Sequence, residues 1–189
     1  MYIKFFKRTL DLFIGVVLSV LFTPLFIVIA GLIKLDSRGP VLYIQERVGY
    51  RGRIFNILKF RTMTNKLRTR HIEILTDNPE VTRVGKFLRR FKIDELPQLF
   101  NIIAGHMSLV GPRPALTSHL EIFNNDGIIR LQVRPGLTGL AQVSSNILVP
   151  WPERWVYDRR YVEQLSFLLD LKIILKTFRI IIKGDQSLG

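Results

Sequence analysis

Residues 12–33 read LFIGVVLSVLFTPLFIVIAGLI, 22 positions without one charged side chain. As a single straight helix this stretch would measure about 33 Å, slightly more than the roughly 30 Å hydrocarbon core of a bilayer. A secretory signal peptide fits worse. The run is longer than an apolar h-region, and Lys34-Leu35-Asp36-Ser37 offers no small-residue cleavage motif. The stretch therefore reads as a retained membrane segment. Pro24, preceded by Thr23, removes a backbone donor and collides with the Val20 carbonyl, so a bend is predicted. The Thr23 hydroxyl, a neighbouring helix or a water can serve the carbonyl so freed. Lys4, Lys7 and Arg8 precede the run, while Lys34 and Arg38 follow it. The positive-inside rule thus draws both ends to the cytoplasmic side. Two geometries stay open from the residues alone: a kinked spanning helix, or a segment that dips in and returns. Asp11 and Lys34, at the two margins, are candidates to pair or to anchor at the interface.

The other residues place the chain among one-domain proteins. Its 189 residues are 48% hydrophobic, enough apolar surface to offset chain entropy and exclude wholesale disorder. Lys plus Arg number 28 against 15 acids, a formal charge of +13, which calls for an anionic partner: nucleic acid, phospholipid or a phosphorylated substrate. Cysteine is absent, which excludes disulfides, thiolate metal sites and cysteine nucleophiles. With three histidines a zinc site is not expected, and His71, His106 and His119 read as surface or structural residues.

After Gly39-Pro40, residues 41–46 and 53–60 are β-rich runs around Gly49-Tyr50-Arg51-Gly52, a short hairpin. Helical spacing recurs over 82–91 and over 94–104, with Asp94 as N-cap of the second helix, Pro97 in its first turn and Gly105 at its end. Pro, Gly and Arg share two loops, 110–114 and 134–139, and helices are expected over 151–164 and 165–183. Trp151 and Trp155 read as core or interfacial anchors. In the last helix Lys172, Lys176, Arg179 and Lys183 form one basic stripe beside an apolar surface, as in a helix lying at a membrane interface, with a core-packed helix as the alternative. The fold class is α+β and predominantly helical: a Pro-broken membrane helix, a small β-hairpin and amphipathic interfacial helices.

Four motifs follow the membrane segment in order: Lys59-Phe60-Arg61-Thr62-Met63, Asp94-Glu95-Leu96-Pro97-Gln98-Leu99, Val110-Gly111-Pro112-Arg113-Pro114, and residues 134–143, RPGLTGLAQV. Together they resemble the bacterial sugar transferase family, the monotopic phosphoglycosyl transferases, over essentially the whole chain. The resemblance implies transfer of a sugar 1-phosphate from a UDP-sugar to polyprenyl (undecaprenyl) phosphate, releasing UMP at the first membrane step of glycan assembly. It implies a covalent route with Asp94 as nucleophile, Glu95 beside it, and assistance from Mg²⁺, for which Asp94 or Glu95 together with substrate phosphate is enough. It further implies a re-entrant helix broken at Thr23-Pro24, where the family has Ser-Pro, which favours the dip-and-return geometry. The expected division is an anchor over 1–38 and a cytoplasmic catalytic domain over 39–189, at the bacterial inner membrane. Larger members carry a further N-terminal membrane domain, so this chain is expected to be the short, catalytic-core form.

A carboxylate attacking a diphosphate faces repulsion, which a divalent ion and fixed cations must neutralise. Lys59, Arg61, Arg113 and Arg134 are the candidates, and a helix N-terminus at Asp94 would add positive potential and keep that acid ionised. Asp158, Tyr161 and Asp170 match family positions and are expected to support the site or a phosphate network, with a structural salt bridge as the alternative for Asp170. Ser144-Ser145-Asn146 stands where many members have a Gly-Arg pair, which touches donor recognition. Membrane lipids are expected partners and nucleic acid is not. A homodimer, a membrane-tethered basic module binding anionic lipid or nucleic acid, and a catalytically dead scaffold remain as alternatives.

Overall fold

A computed structural model describes residues 6–64, 78–144 and 149–183. Lys4, His71, Ser145 and Asn146 lie outside the described residues, as does the side chain of Lys183. The chain opens with two helices, α1 (Lys7–Leu21) and α2 (Thr23–Asp36), bent by 59° at Phe22. No single described helix is long and apolar enough to cross a membrane, whereas the bent pair is by length and composition. The break is where proline demands it, but its satisfaction differs from the expectation. The Val20 carbonyl takes a backbone N–H at the cap of α1. The Thr23 hydroxyl instead donates to the Ser19 carbonyl at 2.8 Å.

The first helix is inside out. Asp11, Gly15 and Ser19, four residues apart, are buried, while Phe13, Val20 and Leu21 are each 65–70% exposed. A water-soluble helix turns its apolar side inward; this one turns its polar and small side inward and leaves apolar side chains exposed. Gly15 lets α1 approach Ile102 closely, since an added Cβ would already touch it at 3.4 Å. Asp11 does not pair with Lys34, which is exposed. Its Oδ2 accepts from the Ser108 hydroxyl at 2.6 Å and its Oδ1 from the Leu109 N–H at 3.1 Å. Asp11→Ala should lower the melting temperature by roughly 4–8 °C, because two buried donors lose an acceptor at a cost of about 2 kcal/mol. A thermal-melt shift below about 2 °C would remove that clamp from the fold's essentials.

The hairpin forms as expected from β1 (Leu42–Val48) and β2 (Ile54–Phe60), antiparallel with Leu42 opposite Phe60 and Val48 opposite Ile54. Arg51 and Gly52 turn it with φ of 56° and 76°. The helix α3 (Arg83–Arg90) is capped by Thr82, whose side chain accepts from Gly85 N–H, and α4 (Gln98–Ile103) follows. Next come β3 (Ser108–Val110), β4 (Ala115–Leu116), α5 (Asn125–Ile129), β5 (Gly136–Thr138), α6 (Leu140–Ser144), α7 (Trp151–Gln164) and α8 (Phe167–Lys183). The strand β4 extends the hairpin sheet in the order β2-β1-β4, and β3 pairs in parallel with β5. The architecture is α+β and mostly helical.

One core cluster joins Phe55, Ile57, Leu99, Ile102 and Met107 with Leu18, Phe22 and Phe26 of the bent helices. A second joins Phe60 and Leu88 with Ile29 and Ile33. The bent pair therefore shares its packing with the hairpin and α4. Trp155 is fully buried against Phe123, and His119 lies buried between Trp151 and Trp155, structural as expected. On α8 the residues Leu168, Leu171, Leu175, Phe178 and Ile182, at heptad spacing, are 41–80% exposed beside Lys172, Lys176 and Arg179. Ile173, on the opposite side of α8, packs with Val110 and Tyr161.

Candidate active site

The acid pair lies in a 3-10 turn, Ile93–Glu95, and not at the cap of a long helix. Pro97 limits the bonding just before α4. Having no N–H, it cannot accept the α-type role toward the Ile93 carbonyl, which takes Leu96 N–H instead. The α-ladder begins only after Pro97, giving α4 six residues. Before the turn Lys92 adopts φ 56°, a left-handed conformation costly for a residue with a side chain. That kink reverses the chain between α3 and the acids and brings both carboxylates under the end of β2.

The two acids have different partners. Glu95 is held by cations on two sides: Lys59 Nζ lies 2.7 Å from Oε1, Arg113 Nη2 lies 2.9 Å from the same oxygen, and Arg113 Nη1 lies 3.4 Å from Oε2. Asp94 is 8% exposed, and its carboxylate has no hydrogen bond or ion pair among the described residues. Burial and the neighbouring Glu95 charge push Asp94 up to about 6, against the pull of Lys59, Arg89 and Lys92. Burial thus opposes ionisation of Asp94, although a carboxyl at about 6 is still mostly charged at neutral pH. Burial alone would also raise Glu95, but Arg113 and Lys59 outweigh it and hold that carboxyl well below its usual range. Burial lowers Lys59, with Glu95 opposing. The two adjacent carboxyls thus have oppositely shifted acidities, set by their different partners.

Of the four expected phosphate-binding cations, Lys59 and Arg113 meet at the acid pair. Arg61 does not. Its guanidinium donates to the Ser37 carbonyl at 2.6 Å, the Ser37 hydroxyl at 3.0 Å and the Arg38 carbonyl at 3.0 Å, closing the C-terminal end of α2. Arg134 also has another setting: its Nε donates to the Gly105 carbonyl at 2.9 Å, and its guanidinium lies over Tyr50 at the hairpin turn. That is the opposite end of the hairpin from Lys59. Asp158, Tyr161 and Asp170 form supports beneath the loop 110–114. The Tyr161 hydroxyl reaches Asp170 Oδ1 at 2.8 Å and the Val110 carbonyl at 2.9 Å. Asp170 Oδ2 takes Lys7 Nζ at 2.6 Å, tying α8 to the start of α1. Asp158 pairs with Arg130.

Sequence reading passed over Arg89 and Lys92, which act on Asp94 electrostatically. The signal was the basic run Arg89-Arg90-Phe91-Lys92 directly before the acids. It also passed over Asn101, which receives Leu58 N–H and donates to the Asn56 carbonyl, closing the edge of β2 beside Lys59. No group of three or more metal-ligating side chains exists among the described residues. Mg²⁺ needs only one or two protein oxygens, because it keeps waters and takes phosphate oxygens from its substrate. Asp94 fits that demand. Of the two acids expected as alternatives for this role, Glu95 has both oxygens engaged by Lys59 and Arg113.

Sequence comparison gives the class of protein to which this buried acid pair belongs: the protein is a transferase. More narrowly, residues 2–184 match the model of the family described as bacterial sugar transferase, and the chain belongs to that family. It is 40% identical over 187 residues to the exopolysaccharide production protein ExoY of Rhizobium meliloti, covering 90% of this chain and 83% of that one. It is also 40% identical over 187 residues to the UDP-N-acetylgalactosamine-undecaprenyl-phosphate N-acetylgalactosaminephosphotransferase of Aeromonas hydrophila, covering 95% of this chain and 44% of that one. Against the UDP-glucose:undecaprenyl-phosphate glucose-1-phosphate transferase of Klebsiella pneumoniae it is 40% identical over 181 residues, covering 91% and 39% respectively.

Proposed function

We propose that this chain transfers a sugar 1-phosphate from a UDP-sugar to undecaprenyl phosphate through a covalent phosphosugar on Asp94. The observation that carries this reading is the unpartnered Asp94 carboxylate beside a Glu95 already neutralised by Lys59 and Arg113. A carboxylate relieved of salt bridges is a better nucleophile than one enclosed by them. Asp94 attacks the sugar-bearing phosphorus, and the phosphoanhydride bond to UMP breaks with its electron pair leaving on UMP. An oxygen of the lipid phosphate then attacks the same phosphorus and expels the Asp94 carboxylate, giving the lipid diphosphate sugar. Glu95 holds the Lys59 and Arg113 charges at the site, where they offset the donor's diphosphate charge. Asp94 would hold Mg²⁺, which supplies further neutralisation of the diphosphate. The names of the Aeromonas and Klebsiella relatives support both the donor class and the acceptor.

The reaction belongs at the cytoplasmic face of the inner membrane. The inside-out α1, the 59° bend and the basic residues at both margins support a re-entrant anchor over 1–38 carrying a catalytic domain over 39–189. The exposed apolar row of α8, flanked by lysines and an arginine, suits burial at the same interface.

Incubation with a panel of UDP-sugars, Mg²⁺ and undecaprenyl phosphate should release UMP and yield lipid-linked sugar with at least one donor. With acceptor withheld, intact-mass analysis should find the phosphosugar on Asp94. UMP release without any such adduct in rapid-quench samples would remove the covalent route. Topology has its own check, eased by the absence of native cysteine. Single cysteines at Thr9 and Arg38 should both react only from the cytoplasmic side; periplasmic labelling of either would make the segment a spanning helix.

A further inference from the structure

Arg130 lies in the 3-10 turn after α5, outside every motif, with its side chain 2% exposed. A guanidinium this deep is tolerated only with a counter-charge and acceptors for its donors. The counter-charge is Asp158 on α7, with Nε 2.9 Å from Oδ2 and the carboxyl 3% exposed. The acceptor is the backbone carbonyl of Arg113, to which Nη2 donates. The Arg113 side chain leaves the same residue toward Glu95. The surrounding loop is held throughout. Tyr161 meets the Val110 carbonyl, Gly136 N–H the Pro112 carbonyl and Arg47 the Pro114 carbonyl. At Arg113, as at Pro114, the holding group is a buried guanidinium; that of Arg130 is itself held by Asp158 on α7.

We infer that Arg130, held by Asp158, is a positioning residue: it fixes the Arg113 backbone so that the Arg113 guanidinium meets Glu95 and the donor diphosphate, and thereby sets the turnover rate. The inference rests on the transferase reading above. It differs from a structural role in a measurable way. A buried ion pair that only stabilises can be replaced by apolar residues of similar volume without loss. A donor that orients a backbone carbonyl cannot, because the apolar replacement leaves the carbonyl unmet and the loop free to shift. A misplacement of about 1 Å costs on the order of 100-fold in rate.

The test is the paired variant Arg130→Met with Asp158→Leu in the full chain, reconstituted in lipid, followed by thermal melting and UMP-release kinetics. The melting temperature should stay within about 4 °C of the parent, while kcat falls at least about tenfold. In an Arg113→Ala background the same pair should cause less than about a twofold further loss, since the group being positioned is already gone. Parental kcat in the paired variant, or losses that multiply in the Arg113→Ala background, would overturn the role. Should the paired variant fail to fold, Arg130→Lys keeps the charge against Asp158 and removes the planar fork. It should fold with a reduced kcat, and an unchanged kcat would overturn the role equally. If the parent enzyme releases no UMP from any UDP-sugar, the functional reading itself fails, and this role with it.

Discussion

Asp94→Asn should reduce lipid-linked sugar formation by roughly 10⁴-fold or more, because removing a nucleophile removes the covalent path and leaves only binding and electrostatics. The substitution is nearly isosteric, and Asp94 has no hydrogen bond or ion pair to lose among the described residues. The melting temperature should therefore hold or rise, since a buried carboxyl repelled by Glu95 is replaced by a neutral amide. Loss of activity with retained stability is the signature of chemistry rather than folding. Residual turnover within about tenfold of the parent would require a different attacking group. Glu95→Gln is the instructive neighbour. It leaves Lys59 and Arg113 without their acid, so it should lower both stability and rate, in contrast to Asp94→Asn.

Gly136→Ala should destabilise the protein by roughly 3 kcal/mol and lower the melting temperature by about 6–12 °C. A Cβ there would lie 2.1 Å from the Gly111 nitrogen and 2.4 Å from the Thr138 carbonyl oxygen, the two atoms that bond to each other across β3 and β5. No flexible side chain can yield; backbone must move, and the loop bearing Arg113 moves with it. Rate should thus fall together with stability. Gly31→Ala is the control, because a Cβ at that position on α2 meets nothing within 4 Å. Equal melting temperatures for the two variants would show that the β3–β5 contact is looser than the geometry states.

Periodicity and turn chemistry made the hairpin and α7 legible, because those elements depend on residues adjacent in the chain. Residues 41–46 and 53–60 are β-rich runs around a turn with two glycines, and the strands form there. Trp151–Gln164 coincides with the expected helix. The acid pair was legible as chemistry but not as geometry. Helical spacing over 94–104 reads as one helix, whereas the acids occupy a 3-10 turn and the α-helix starts at Gln98, so the cap assigned to Asp94 does not form. Arg61 and Arg134 illustrate the corresponding limit for cations. Each stands in a motif with the right residue type, yet one closes the end of α2 and the other lies against Tyr50. A motif records which residues recur and not the direction in which each side chain leaves the backbone.

The sequence by itself marked the uncharged run over 12–33, the bend beside Thr23-Pro24 and the adjacent acids Asp94-Glu95, since uncharged length, proline's missing donor and motif order are all local properties of the chain. Only the tertiary structure decided which acid is free and which is clamped, that α1 turns its polar side inward, and that Arg130 reaches the Arg113 carbonyl. Those outcomes depend on groups from separate elements competing for the same oxygens in a buried space, where a charge must find its partner or change its state, and that competition has no counterpart along the linear chain.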